Sequence, residues 1–389
     1  MNNNNDILFS KIKIGNTIVD NRIVINAMEG NDADLNGNPS LKTYRRYREL
    51  FKANPGVIIL EAISITEEHV CRKNQLTILP KNEKALEKFV CEMKKINKNP
   101  LLFFQLNHAG ELSNPNFSKR VCVKKIPGFE GTLLYEEDIK KIIKQYVLSA
   151  KIAYNCGADG IDIKFGHGYL GSQILRPYND RKFSYGGPWE NRRRFAFDIL
   201  EEILKEIKDS NFIIGSKISI WEGLPGGQGC AEPDSSVIDF RESFDLIKGL
   251  EERGASYIIE SAGNAFTLSL QQPDKNHIFS GYLHHGFQKQ IKDIVKSDTV
   301  VIGSAYSVFG RSEKNKVESI SYWGNKNIKN NVVDMIAIGR QSLADPLFPS
   351  KLRENKIEEI NWCLTCNRCR QLLRNQKNVG CPVYNKEYR

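Results

Sequence analysis

Three polar side chains with acid, base and hydrogen-bonding chemistry fall close together: Lys164, His167 and Tyr169. They end an apolar run at 160–166 that reads as a buried strand. Lys164 then projects from the strand end, and His167 and Tyr169 follow in the turn beyond it. Lysine and histidine donate hydrogen bonds to an electron-withdrawing group, and a tyrosine of pKa near ~10 is a proton donor. Taken singly, each has a plainer reading: a structural ion pair, a capping histidine, a packed tyrosine. A second concentration is Cys363, Cys366, Cys369 and Cys381, spaced Cys-x2-Cys-x2-Cys-x11-Cys. Thiolates at this spacing wrap a 4Fe-4S cluster, with zinc in a four-cysteine ribbon as the rival. The remaining cysteines, at 71, 91, 122, 156 and 230, are isolated and read as core or surface residues.

Other candidates stand at the ends of similar runs. Met28 and Glu29 follow 22–28, Glu61 and Ala62 fall in 57–65, and Gln105, Asn107 and His108 end 101–107. Lys217 lies in 212–220, Gly303 and Ser304 in 299–305, and Gly339 and Arg340 in 335–340. Glycine lets backbone N–H groups approach a phosphate, and arginine offers a fork to its oxygens. Gln105 and Lys217 suit the edge of a planar heterocycle, where a cation stabilises negative charge. The plainer readings are buried polar residues satisfied by backbone, and a turn with a surface charge.

These residues need a scaffold that gathers strand ends. Eight β-branched apolar runs, the seven above together with 256–263, alternate with segments of helical period. The helical segments 83–97, 136–156, 190–208 and 235–253 each carry one apolar face, and Gly157 and Gly254 stop two of them. Continuous apolar strands suit a parallel sheet covered on both faces. Eight β→α units predict an α/β fold, a (β/α)8 TIM barrel over 1–355, with a short cysteine-rich extension over 356–389. In that fold the loops after the strands build the active site, and those after strands 7 and 8 hold phosphate. Long connections follow strands 3 (108–135), 4 (167–189) and 6 (264–287). His284 and His285, in the last of these, read as part of a solvated loop, with a substrate lid as the alternative. No Gly-x-Gly-x-x-Gly follows a strand, which argues against a dinucleotide-binding sheet.

The chain has 389 residues, 40% hydrophobic and 26% charged, with a formal net charge of +10. The charge is scattered lysine with no basic block interleaved with aromatics, so nucleic acid is not the expected partner. No apolar run is long enough to span a membrane. The asparagine-rich start does not read as a signal peptide, and a cytoplasmic location is expected.

The segment GADGIDIKFGHGYLGSQILRPYNDRKFSYGGPWENRRRF (157–195) resembles the old yellow enzyme family around its substrate-binding pair and tyrosine. LFSKIKIGNTIVDNRIVINAM (8–28) is similar to that family's first strand. QLNHAGE (105–111) is similar to its third, with Glu111 where arginine is usual, and MIAIGRQSLADPLFPSKL (335–352) to its final phosphate loop. The resemblance implies FMN at the barrel mouth, with Ala27, Met28, Ala62 and Gln105 beside the ring and Lys217 in an arginine's place. It puts the phosphate on Gly303, Ser304, Gly339 and Arg340. It places Lys164 and His167 on the substrate carbonyl and makes Tyr169 the proton donor.

Lys164 departs from the family's usual histidine and suits a carboxylate or thioester. Glu29 stands where a small polar residue is usual, and pairing with Lys164 or protonation is expected of it. The cysteine quartet resembles that of the 2,4-dienoyl-CoA reductase and trimethylamine dehydrogenase branch, which supports 4Fe-4S. The implied activity is an NAD(P)H:flavin oxidoreductase of ene-reductase type, reducing the C=C bond of an α,β-unsaturated carbonyl or carboxyl compound. NADH or NADPH reduces the flavin directly, or an acidic electron carrier feeds the cluster. A homo-oligomer is an open expectation. The alternatives are an amine dehydrogenase of trimethylamine dehydrogenase type and a non-catalytic zinc-binding scaffold.

Overall fold

A computed structural model describes residues 6–125, 130–310 and 319–389. The asparagines at 2–5 and part of the 108–135 connection lie outside them. Eight parallel strands close into a barrel: β1 (Ile23–Ile25), β2 (Val57–Ser64), β3 (Leu101–Asn107), β4 (Gly160–Phe165), β5 (Ile213–Ser219), β6 (Tyr257–Ser261), β7 (Val300–Gly303) and β8 (Met335–Ile338). The ring closes where β8 pairs with β1, Ala337 opposite Val24. Helices α1 (Leu41–Lys52), α2 (Glu83–Ile96), α3 (Glu136–Asn155), α4 (Trp189–Glu206), α5 (Arg241–Glu252), α6 (Ile278–Ile294) and α7 (Ile320–Lys329) follow strands one to seven in turn. The short α8 (Arg340–Ala344) follows β8. This is the (β/α)8 barrel the sequence predicts.

Alternation along each strand explains the two cores. Val24, Val57, Phe103, Ile213, Tyr257, Ile259 and Ile302 point inward and fill the ring. Their neighbours, such as Ile23, Ile58, Leu102, Ile161 and Ile214, pack outward against the helices. Phe103 and Tyr257 stack at 5.2 Å inside the ring. A Cβ on Gly215 would stand 2.4 Å from the Tyr257 ring, so glycine there makes room for it. A hairpin, Ile12–Ile14 with Thr17–Val19, closes the bottom through Ile14 and Val19. Above the packed lower ring the inward positions turn polar: Gln105, Asp162, Lys164 and Lys217, on registered strands, with Ser261.

Two helix boundaries differ from expectation. The helix predicted over 235–253 starts at Arg241, because Ile238 bridges Cys230 and Asp239 accepts the Arg241 N–H. The 264–287 connection ends in α6, so His284 and His285 are helical. His284 is buried, its Nδ1 2.7 Å from Glu260 and its Nε2 2.8 Å from the Leu270 carbonyl, which corrects the solvated-loop reading. His285 packs against Tyr306, Phe309 and Trp323. Helix α1, expected of the first β→α unit but given no bounds from the sequence, starts at a Ser40–Thr43 capping box.

The short helix α9 (Phe348–Arg353) leads into residues 356–389, a loop-rich stretch in which α10 (Arg368–Arg374) lies among the cysteines. Backbone and side-chain hydrogen bonds fasten this stretch to the barrel mouth. Val379 donates to the Gly30 carbonyl at 2.8 Å, Asn31 to Lys377 at 3.1 Å, and Lys73 N–H to Gln376 at 2.9 Å. No described helix is long and apolar enough to cross a membrane.

Candidate active site

The mouth holds a cavity of about 300 Å³. Its floor is Ala27, Met28 and Ala337, and its polar wall includes Asn26, Gln105, Lys164, His167, Tyr169 and Lys217. Ser304, Ala305, Ser307, Gly339 and Arg340 line it from the loops after β7 and β8. Ala62 and Gly303 are not part of the lining. A register shift between Leu60 and Ile63 turns this part of β2 away, and the Ala62 carbonyl accepts from Gln75 at 3.0 Å. Gly303 faces Gln288, whose side chain a Cβ would meet at 2.6 Å.

The turn after β4 sets the first constellation. His167 and Gly168 are both left-handed, with φ of 62° and 77°. Such a conformation in a non-glycine residue stores strain that the surroundings must hold. Here Ser219 Oγ accepts the His167 N–H at 2.9 Å, and a bridge joins His167 to Asn264. The His167 Nε2 lies 2.7 Å from Ser261 Oγ. Burial, with Lys217 and Lys164 nearby, holds this ring well below the ordinary histidine range, so it is neutral. Lys164 Nζ stands 3.6 Å from the Tyr169 ring centroid. Burial also lowers Lys164, against the pull of Glu29.

The Tyr169 hydroxyl donates to Glu29 Oε1 at 2.9 Å, and Cys71 Sγ lies 3.7 Å from it. Burial holds Tyr169 well above the ordinary phenol range. Arg72 Nε donates to Glu29 Oε2 at 2.8 Å. Burial alone would raise the Glu29 carboxyl, but Arg72, Lys164 and the Tyr169 hydroxyl outweigh it and leave it below its ordinary value. Glu29 is thus ionised and its partner is Arg72, in place of the expected Lys164 pairing or protonation. Arg72 and Cys71 were missed by sequence reasoning. Their signal was a polar stretch just after the second apolar run.

Beneath, Gln105 Nε2 donates to Asp162 Oδ2 at 2.6 Å, and Lys217 Nζ donates to Asn26 Oδ1 at 3.0 Å. Burial raises Asp162 and lowers Lys217, and each opposes the other's shift. A Cβ on Gly339 would stand 2.9 Å from Met28 Sδ, so glycine there leaves room for the end of the Met28 side chain. Ala305, at φ 68°, turns the chain sharply after β7. Arg340 Nη1 donates to Asn367 at 2.7 Å, and Nη2 to the Pro273 carbonyl.

The four cysteines of the extension line a small cavity of about 20 Å³ with Arg340, Leu343 and Asn367. Thr365 N–H donates to Cys363 Sγ at 3.4 Å. Burial raises the Cys363 and Cys369 thiols, the latter to about 11, against the nearby Arg340. Among the described residues, no three of His, Cys, Asp or Glu close around a single metal-ion position.

The family model for the NADH:flavin oxidoreductase / NADH oxidase family matches residues 7–359. An NADH oxidase of Thermoanaerobacter brockii is 28% identical over 373 residues, covering 92% of this chain and 52% of that protein. A cinnamate reductase of Clostridium sporogenes is 27% identical over 399 residues, covering 97% of this chain and 57% of that protein. The chain therefore spans little more than half the length of these two relatives. The solved structure of a 2-naphthoyl-CoA reductase with 2-naphthoyl-CoA superposes with a TM-score of 0.83 at 18% identity, over 98% of this chain and 58% of that one. A closed barrel with polar side chains crowding one mouth is what such a family model should describe, and its match runs through all eight strands: the chain belongs to the NADH:flavin oxidoreductase / NADH oxidase family.

Proposed function

We propose that this chain is an FMN-dependent ene-reductase, reducing the C=C bond of a small α,β-unsaturated carbonyl or carboxyl compound at the expense of NADH or NADPH. The observation that carries the reading is the convergence of Lys164, His167 and Tyr169 in one cavity with Gln105, Lys217 and the β7–β8 loops. Those residues fit FMN. Ala27, Met28 and Ala337 offer an apolar bed, Gln105 and Lys217 polar groups for the ring edge, and Ser304, Gly339 and Arg340 a phosphate end. FMN bound there would supply the hydride.

The chain's own residues do the rest. Lys164 Nζ and His167 hold the substrate's carbonyl or carboxyl oxygen and stabilise the negative charge that develops on it. In the tautomer that accepts from the Ser261 hydroxyl at Nε2, the neutral His167 ring keeps an Nδ1–H for that oxygen. Tyr169, protonated because it is buried, gives its proton to the α-carbon, and Glu29 orients the hydroxyl.

In the extension, residues 356–389 form a separate unit in this reading, and Cys363, Cys366, Cys369 and Cys381 would hold a 4Fe-4S cluster. All four face one cavity, and thiolates around a cubane stand farther apart than those around one ion. Such a cluster would supply single electrons beside the flavin. An acidic electron carrier is then the partner expected of a chain with net charge +10. The amine-dehydrogenase alternative is disfavoured because the cavity wall is rich in lysine and arginine, which repel a cationic amine.

The test is an anaerobic absorption spectrum with flavin and iron analysis, followed by mixing the NADH-reduced protein with cinnamamide and cinnamate. Yellow protein containing FMN, and flavin reoxidation coupled to loss of the alkene, are expected. Protein that takes up no FMN from a riboflavin-rich host sinks the proposal.

A further inference from the structure

The charges lining the main cavity do not balance. Six lysines and arginines face it, Arg72, Lys164, Lys217, Arg340, Arg370 and Arg374, against a single carboxylate, Glu29, among the described residues. The flavin reading above employs Lys217 and Arg340, and Lys164 faces the reacting carbonyl. Arg72, Arg370 and Arg374 remain, with Glu29 as the one carboxylate among them.

Their placement is built. Arg370 and Arg374 are one turn apart on α10, so they share a face. Leu373, between them, lines the same cavity, and along this face Arg370 and Leu373 are half-buried while Arg374 is exposed at the rim. Long basic side chains on an exposed helix ordinarily extend their charge to water. Here Arg370 is half-buried and lies within electrostatic reach of both Arg72 and Arg374. Arg72 gives Nε to Glu29 and Nη1 to the Cys71 carbonyl at 3.2 Å, which leaves donors of its five N–H groups uncommitted. The α10 turn is held over the mouth by Gln376, which donates to the same Cys71 carbonyl at 3.3 Å and accepts the Lys73 N–H. Three like charges brought together by two separate segments make a receptor for an anion.

We infer that the substrate carries a fixed negative charge, a carboxylate or phosphate set apart from its double bond, and that Arg72, Arg370 and Arg374 receive it. This rests on the ene-reductase reading for the word substrate, but the anion site itself does not. The extension is then part of substrate selection as well as a holder of cysteines.

The experiment is isothermal titration calorimetry on the full-chain holoenzyme with three probes: neutral cinnamamide, 4-carboxycinnamamide, and crotonyl-CoA. At low salt the charged probes should bind roughly tenfold or more tighter than cinnamamide, and the advantage should shrink as salt screens it. In Arg370→Gln/Arg374→Gln it should fall to about threefold or less. A response confined to 4-carboxycinnamamide identifies a carboxylate, and one confined to crotonyl-CoA identifies phosphate. An unchanged preference in the double variant overturns the inference. Arg370 adjoins Cys369, so flavin and iron contents are measured alongside. If iron is lost, Arg374→Gln alone decides, with a loss of about threefold expected. Binding that follows this pattern without turnover of any probe leaves the anion site standing and sinks the ene-reductase reading. Turnover without the pattern does the reverse.

Discussion

The barrel-mouth cavity and the cysteine cavity lie side by side, share Arg340, and are built in opposite ways. At the mouth, polar side chains are tied to one another: Tyr169 to Glu29, Glu29 to Arg72, Gln105 to Asp162, Lys217 to Asn26, His167 to Ser261. Apart from Arg72, which comes from the loop after β2, each stands on a strand or within a few residues of one whose register is set by the whole ring. Around the cysteines the backbone is mostly irregular, with Thr365 and Asn367 left-handed and one helix of seven residues. Strand-borne groups are preorganised by the fold, whereas loop-borne thiols take their final spacing from what they bind.

That contrast can be broken by substitution. The largest expected effect is at the thiols: Cys369→Ser should remove iron entirely while FMN content stays stoichiometric, checked by metal analysis and the flavin spectrum. Parallel loss of both would show that the two cavities form one cooperative unit. Next is Tyr169→Phe, which should slow flavin reoxidation by substrate by roughly 10²–10⁴-fold and leave reduction by NADH unchanged, read by stopped-flow absorbance. Equal slowing of both half-reactions would make Tyr169 a packing residue.

Smaller effects sharpen the view of a cavity held by its own ion pairs. Glu29→Gln leaves Arg72 without its carboxylate and should cost roughly 2–4 kcal/mol, seen as a lower urea midpoint at neutral pH. Because the folded Glu29 carboxyl lies below its ordinary value, its contribution is present above about pH 4.3 and is lost as pH falls through the folded value. The wild-type and Glu29→Gln midpoints should therefore converge in acid, and a constant gap would count against ionisation. His284 has the opposite sign. Burial works against its charged ring, but Glu260 and the Leu270 carbonyl outweigh it and raise its pKa. The stability it contributes is full below about pH 6.5 and is lost as pH rises through the folded value. The gap between wild type and His284→Gln should narrow on the alkaline side.

How much of this was legible before the structure depends on what each feature rests on. Strand cores were readable because both faces of every barrel strand are apolar, and so were the residues just past their ends. Gln105, Lys164 and Lys217 reach one cavity because inward alternation along their strands decides their direction, and His167, Tyr169 and Arg340 reach it from the turns just beyond the strand ends. Ala62 and Gly303 do not, because a local register shift and a neighbouring glutamine redirect those segments, and neither leaves a trace in residue spacing. Glu29 was singled out as anomalous, yet its partner Arg72 lies 43 residues away on another loop. His284 was hidden because its helix starts in the middle of a stretch that reads as a long connection. Arg370 and Arg374 sat unread within the cysteine run, where spacing drew attention to sulfur.

The hydrogen bonds from Asn31 to the Lys377 carbonyl and from Val379 to the Gly30 carbonyl join positions about 350 apart along the chain. During synthesis, the first strand and its turn emerge long before these distant partners exist. A ribosome carrying even a finished eight-stranded ring would still display an unsealed rim, which can close only after residue 379 has left the ribosome.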